Sequence, residues 1–263
     1  MHRFPIALVT APILGLALSL APASAGVVMT AIDGRGDNAA GHEIKIYLEP
    51  THVKIQNGNN GAIYHQGASV IVTYSDRDKS YMEVAPGAIA SVRDRAMAMM
   101  KQQMANMSPE QRKQMEAMLV QSGLGSAAAK KPEIGFRKTA SGQTVGSWRC
   151  DRFEELHDGQ KVADLCIARL PDLGLAEQDL QAFKGLSQLV AGLGVPAAQV
   201  AAGGLDLEAI RSQIGYAGLP VQIIENAGGQ THDIVVKTIQ RTDLPASTFQ
   251  VPLDYVRHEM PMR

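Results

Sequence analysis

From Glu43 to Leu48 the chain alternates, with Ile44, Ile46 and Leu48 set against Lys45 and Tyr47. That is the period of a strand with one buried face. β-Prone stretches also run over Gly26–Ile32, His52–Gln56, Ala68–Tyr74 and Ser80–Val84. Turn clusters separate them: Asp33–Asn38, Asn57–Gly61 and Ser75–Asp78. Short strands joined by polar turns predict an antiparallel meander. The Arg35-Gly36-Asp37 tripeptide falls in the first of these turns and reads as a solvated loop.

At Pro86 the period changes. Met97, Met100, Met104 and Met107 recur at steps of three and four, and after a break at Ser108 Met115, Met118 and Leu119 continue the pattern. That spacing is one face of a helix. It predicts one helix from about Ala88 to Asn106 and another ending near Gly123. The second has Ser108 as N-cap, Pro109 at the first helical position and Gln111 three residues after the cap. Strands return over Ile134–Thr139, Trp148–Glu155 and Lys161–Arg169. An apolar stripe of Leu180, Phe183, Leu186, Leu189, Val190 and Leu193 predicts a further helix over Leu175–Leu193. The Gly194–Gly204 stretch lacks periodicity, a short helix follows over Leu207–Ile214, and Pro220–Glu225 with Gln230–Gln240 form a last hairpin. Phe249–Pro252 reads as a final edge strand.

The first 25 residues stand apart from this pattern. Arg3 precedes an apolar run from Ile6 to Leu20, and Ala23-Ser24-Ala25 is a small-residue cleavage signature. This is the layout of a secretory signal peptide cut between Ala25 and Gly26. The expected location is therefore the periplasm, with secretion as the other outcome of export. The remainder, 26–263, is one domain's worth of chain, with a helical insertion over 86–122 and an Ala/Gly-rich helical insert over 175–218. No later segment has the length and apolarity of a membrane span. The formal net charge is −1, a balance that argues against nucleic acid as a partner.

Two cysteines in an exported chain suggest a disulfide. Centring a hairpin on Asp158 sets Cys150 opposite Cys166, Arg152 opposite Asp164 and Glu155 opposite Lys161. Opposed strand residues have Cα atoms about 4.5–5.5 Å apart, inside the range a disulfide spans.

Catalytic and cofactor patterns are missing. The chain has no Gly-x-Ser-x-Gly elbow, no His-Glu-x-x-His and no phosphate-cradling glycine loop. Its histidines His42, His52, His65, His157, His232 and His258 show no ligand spacing, although His52 and His65 flank one hairpin. The expectation is a non-enzymatic protein without a cofactor. The methionine face leaves three readings open. It packs a core, it walls an adaptable apolar cavity, or its thioethers hold Cu(I) or Ag(I) through Met97, Met100, Met104 and Met107.

Several motifs, in order, resemble exported bacterial proteins grouped as domain of unknown function 4412. They are Lys79-Ser80-Tyr81-Met82-Glu83 before a Met- and Gln-rich helix, the Ser108-Pro109-Glu110-Gln111-Arg112 helix start, and Gly142–Cys150 before a charged hairpin. Pro171-Asp172-Leu173-Gly174-Leu175, Gly218-Leu219-Pro220-Val221 and Leu244–Pro252 complete the set. The second cysteine and the long Gly194–Gly218 insert depart from that pattern. The resemblance implies a shape similar to periplasmic lipoprotein carriers and receptors. That shape is an α+β fold in which methionine-rich helices pack over one face of a curved antiparallel half-barrel. The function expected from these readings is binding of a lipid-like or hydrophobic peptide ligand between sheet and helices. Met97, Met100, Met104, Met107, Met115, Met118, Phe183 and Leu186 would line the site. Soft-metal binding and an interaction module with a cell-envelope protein partner are the alternatives.

Overall fold

The computed structural model describes residues 25–35, 41–85, 133–192, 207–227 and 230–259. It also describes isolated positions (87, 95, 98, 99, 102, 107, 108, 110 and 111) in the stretch between β6 and β7. Twelve strands form one open sheet. In chain order they are β1 Ala25–Arg35, β2 His42–Glu49, β3 His52–Asn57, β4 Asn60–His65, β5 Val70–Ser75 and β6 Ser80–Val84. After the stretch between β6 and β7 come β7 Ile134–Val145, β8 Trp148–His157, β9 Gln160–Arg169, β10 Gly218–Ala227, β11 Gln230–Asp243 and β12 Val256–Arg257. The spatial order is β12-β6-β5-β4-β3-β2-β1-β11-β10-β9-β8-β7, antiparallel throughout except where β12 lies parallel to β6. Two helices of eight or more residues are described: α1, Gln181–Gly192, and α2, Leu207–Ile214.

One face of the sheet carries the main core. Ile44, Ile46, Leu48, Val53, Ile55 and Tyr64 from β2–β4 join Phe153, Leu165 and Ile167 from β8 and β9 in a single buried cluster. α1 packs on β2, β3 and β4, and the stripe of Leu180, just before it, with Phe183, Leu186 and Val190 on it is 2–4 % exposed. Each such side chain contributes about 1.5–3 kcal/mol of burial. The approach is close at Gly185, where a Cβ would stand 2.8 Å from the Tyr64 hydroxyl. α1 begins later than the stripe suggested. Leu170–Leu173 and Glu177–Leu180 are 3-10 turns instead. The Asp179 carboxylate accepts the Ala176 N–H (2.7 Å) and takes a two-pronged contact from Arg241 on β11 (3.1 and 2.5 Å). The local chain follows these polar contacts rather than the helical period.

The opposite face is crossed by the C-terminal strap. After β11 the chain passes over β1–β5 to reach β6 at the far edge. Leu244 lies against Gly26, Phe249 is buried beside Ile63 and Tyr74, and the Tyr255 hydroxyl donates to Asp76 Oδ1 (2.6 Å). The expected strand at Phe249–Pro252 is a 3-10 turn over Ala246–Phe249, and pairing is made by Val256–Arg257. Phe249 turns its ring down into the small core, which a flat edge strand there would not allow.

Three further expectations change in register. The turn expected over Asn57–Gly61 is only Gly58-Asn59: Asn57 ends β3, and Asn60, its partner, opens β4. β7, expected over Ile134–Thr139, runs on to Val145 through Ser141-Gly142, absorbing them as an irregularity with Gly142 at φ +65°. In the cysteine hairpin Asp158 and Gly159 both have positive φ, so the turn has two residues and His157 faces Gln160. A bulge at Val162 then shifts the pairing again. Arg152 therefore faces Cys166, and Glu155 faces Ala163. The disulfide between Cys150 and Cys166 is present, made diagonally with Cα atoms 5.4 Å apart.

Both sheet edges have local cover. On β7, Gln213 of α2 accepts the Phe136 N–H (3.0 Å) and donates to the Ile134 carbonyl (2.7 Å), standing in for a neighbouring strand. At β6 the cover is the two-residue β12.

Candidate functional site

Beyond the area that α1 covers, the core face continues over β3–β6 as an open trough of about 550 Å³. Strand parity builds it. Ile55, Ala62, Thr73 and Met82 are cross-strand neighbours through the pairs Ile55–Ala62, Ala62–Thr73 and Thr73–Met82. Ile55 is 8 % exposed and the other three are half-buried. One step further out, Asn57, Asn60, Ser75 and Ser80 form the polar rim, joined by His258. An apolar floor with a few polar groups at one end is the usual make-up of a small-molecule or chain-binding site. A second depression, about 400 Å³, lies at the Val162 bulge, lined by Lys161, Ala163, Asp164 and Ile224. Lys161 and Asp164 pair across it at 2.8 Å, so its polar groups satisfy one another.

The strap face beneath the trough is tyrosine-rich. Tyr74 packs flat over Gly61, where any Cβ would stand 2.3 Å from its ring. The Lys54 ammonium lies 5.7 and 5.4 Å from the ring centres of Tyr47 and Tyr74, and burial lowers its pKa. The hydrogen bond to Asp76, ahead of burial, pushes Tyr255 up to about 12.

The sequence-predicted lining residues fall in different places. Phe183 and Leu186 are on α1, 2 % and 4 % exposed in the main core. Met107 is half-buried at a bend. Met97, Met100, Met104, Met115 and Met118 lie outside the described residues. Of the expected methionine-rich helices, Gly87, Arg95, Ala98, Met99, Gln102, Glu110 and Gln111 are helical, while the extent of both helices lies outside the described residues. The reciprocal cap of the second is formed: Gln111 Oε1 accepts the Ser108 N–H (3.1 Å), and Ser108 Oγ accepts the Gln111 N–H (3.3 Å). Among the described residues no three or more His, Cys, Asp or Glu side chains gather as a metal-binding group. None of the helices there is long and apolar enough to cross a membrane. Sequence reasoning missed the trough because Ala62 and Thr73 carry no chemical signal; only the register of four strands aligns them.

The family model described as "Domain of unknown function (DUF4412)" matches residues 76–255. The chain belongs to this family. The match runs from the turn before β6 to the strap, and so includes Met82, Ser80, the disulfide and both described helices. No curated protein matches the sequence. Among solved structures the chain is similar to PNGF-II in its P21 and C2 crystal forms, at 7 % and 6 % identity and a TM-score of 0.38 for each. The likeness covers 90 % of this chain, which spans about a third of the PNGF-II chain (32 % and 31 %). A likeness at that score carries no argument about fold or function.

Proposed function

We propose that this is an exported, non-enzymatic binding protein that holds a lipid-like or hydrophobic peptide ligand against the open part of its core face. The supporting observation is the trough itself: an apolar floor of Ile55, Ala62 and Met82 continuous with the core and left uncovered by α1. Exposed apolar surface continuous with a core costs solubility unless something occupies it. The Cys150–Cys166 disulfide supports an oxidising compartment, in keeping with the leader-like first 25 residues and a periplasmic location. The lipoprotein-carrier-like shape expected from the sequence fits the same reading. In that shape the open sheet is a curved half-barrel. The soft-metal alternative rests on Met97, Met100, Met104 and Met107, of which Met107 alone is described.

Native mass spectrometry of the protein purified from its own cell envelope tests the reading. An adduct of several hundred daltons, removed by organic solvent and identified as lipid, is the expected outcome. Thr73→Trp, which fills the trough floor, lowers the adduct's occupancy several-fold while the melting temperature changes little. A bare wild-type mass, or full occupancy in Thr73→Trp, rejects the assignment of the ligand to this trough.

A further inference from the structure

On the strap face, at the end of the β3–β4 hairpin, His52 and His65 stand directly opposite each other. Their ring centroids are 4.8 Å apart and their planes nearly perpendicular. Two imidazoles bound to one cation at the usual 2.0–2.1 Å place their centroids about 5 Å apart, close to the spacing of this pair. Each ring already has one nitrogen engaged by the protein. His52 Nδ1 sits 2.9 Å from Thr51 Oγ1 and 3.6 Å from the Glu49 carboxylate, leaving Nε2 uncommitted by these contacts. One nitrogen of His65 bonds to the backbone of Phe249. A histidine ligand is ordinarily oriented in this way, with its second nitrogen held by a carbonyl, hydroxyl or carboxylate.

The rest of the surroundings suit the same use. Phe249 stacks on His52 at 5.2 Å with the planes 30° apart, which helps fix the ring. Burial first and the neighbouring imidazole second lower the His65 pKa. The site remains reachable, because the His52 side chain is 33 % exposed.

We propose that His52 and His65 together bind one first-row divalent cation, Zn(II) or Cu(II), with water completing the coordination. Nitrogen donors favour these ions. With only two protein ligands the affinity is modest, in keeping with the lack of a larger ligand group among the described residues. The site lies on the opposite face from the trough and does not depend on the ligand reading above. It also links the metal to the strap through the Phe249 ring and backbone.

The test is a Zn(II) titration of the untagged, disulfide-bonded chain by isothermal calorimetry. Zinc is chosen because its usual protein ligands are His, Cys and carboxylate, and it undergoes no redox change. One equivalent binds to wild type, and His52→Asn and His65→Asn each weaken binding at least about tenfold, a loss of roughly 1.4 kcal/mol. His42→Asn leaves it unchanged. In case a variant folds badly, imidazole ¹⁵N spectra of the wild type give an independent readout, in which zinc perturbs the His52 and His65 resonances and spares those of His157 and His232. No saturable binding, or binding unchanged in the His52→Asn/His65→Asn double variant, overturns the proposal.

Discussion

Strands β5 and β9 make a useful contrast. Val70-Ile71-Val72 in β5 is more hydrophobic than Asp164-Leu165-Cys166 in β9, yet all three β5 residues are only half-buried. In β9, Leu165, Cys166, Ile167 and Ala168 are at most 1 % exposed. The difference lies in what covers each strand. β9 has the main core on one face, while on the other Cys166 is tied to Cys150. β5 has the strap on one face and, at Thr73, the open trough on the other. Apolar composition therefore does not set burial in this sheet; position relative to α1, the disulfide and the strap does. The β8–β9 end holds the fold together, and the β3–β6 end retains accessible apolar surface.

Three measurements break or sharpen that contrast. The largest effect is expected at the closed end. Leu165→Ala or Ile167→Ala costs about 2–5 kcal/mol in urea unfolding, whereas Met82→Ala in the trough costs less than about 1 kcal/mol. Equal losses would mean that the trough is as closely packed as β9. Next, Cys150→Ser with Cys166→Ser removes a cross-link between residues 16 apart in sequence, worth about 3 kcal/mol in the chain-entropy model. Hydrogen exchange in that variant rises first in β8 and β9 and leaves β4–β6 nearly unchanged. A uniform rise would show that the sheet opens as one unit.

The smallest effect concerns Asp179. Burial alone would raise its pKa, but the hydrogen bonds from Arg241 and the Ala176 amide outweigh that and hold it below the ordinary carboxylate value. A depressed pKa contributes stability that is present above the unfolded value near 3.9 and lost as pH falls through the folded one. Asp179→Asn is expected to cost about 1.5–3 kcal/mol at neutral pH and to flatten the loss of stability on acidification below about pH 4. Glu225 acts with the opposite sign. Burial, aided by Glu155 and Asp33, raises its pKa against the counter-effect of His232, so its contribution fades as pH rises through the raised value. Comparing Asp179→Asn and Glu225→Gln across pH separates the two. Parallel pH profiles would contradict the assignment.

Much of this was legible from the chain. Alternation located most strands, and Ser80–Val84 and Leu207–Ile214 match the expected bounds. The Ser108–Gln111 cap and the Cys150–Cys166 bridge formed as the residue types require. These features depend on neighbours a few residues apart, where backbone geometry leaves few choices. The hairpin register did not follow, because the bulge at Val162 answers to contacts on both flanking strands. Nor did the start of α1, since the Asp179 carboxylate is held by Arg241, 62 residues away.

What the sequence by itself determined is a β-rich chain with a local disulfide and a capped helix start, each specified by short-range patterns. Only the tertiary structure decided which apolar positions are buried, because strands four and five elements apart share one face and α1 covers only part of it. It also decided that the strap crosses to the far edge, bringing Phe249 onto His52 and setting His65 against it. The sequence links the two histidines through one hairpin but nothing in it links Phe249 to them. Their meeting follows from antiparallel register and the path of the chain after β11, which are global properties of the packed sheet.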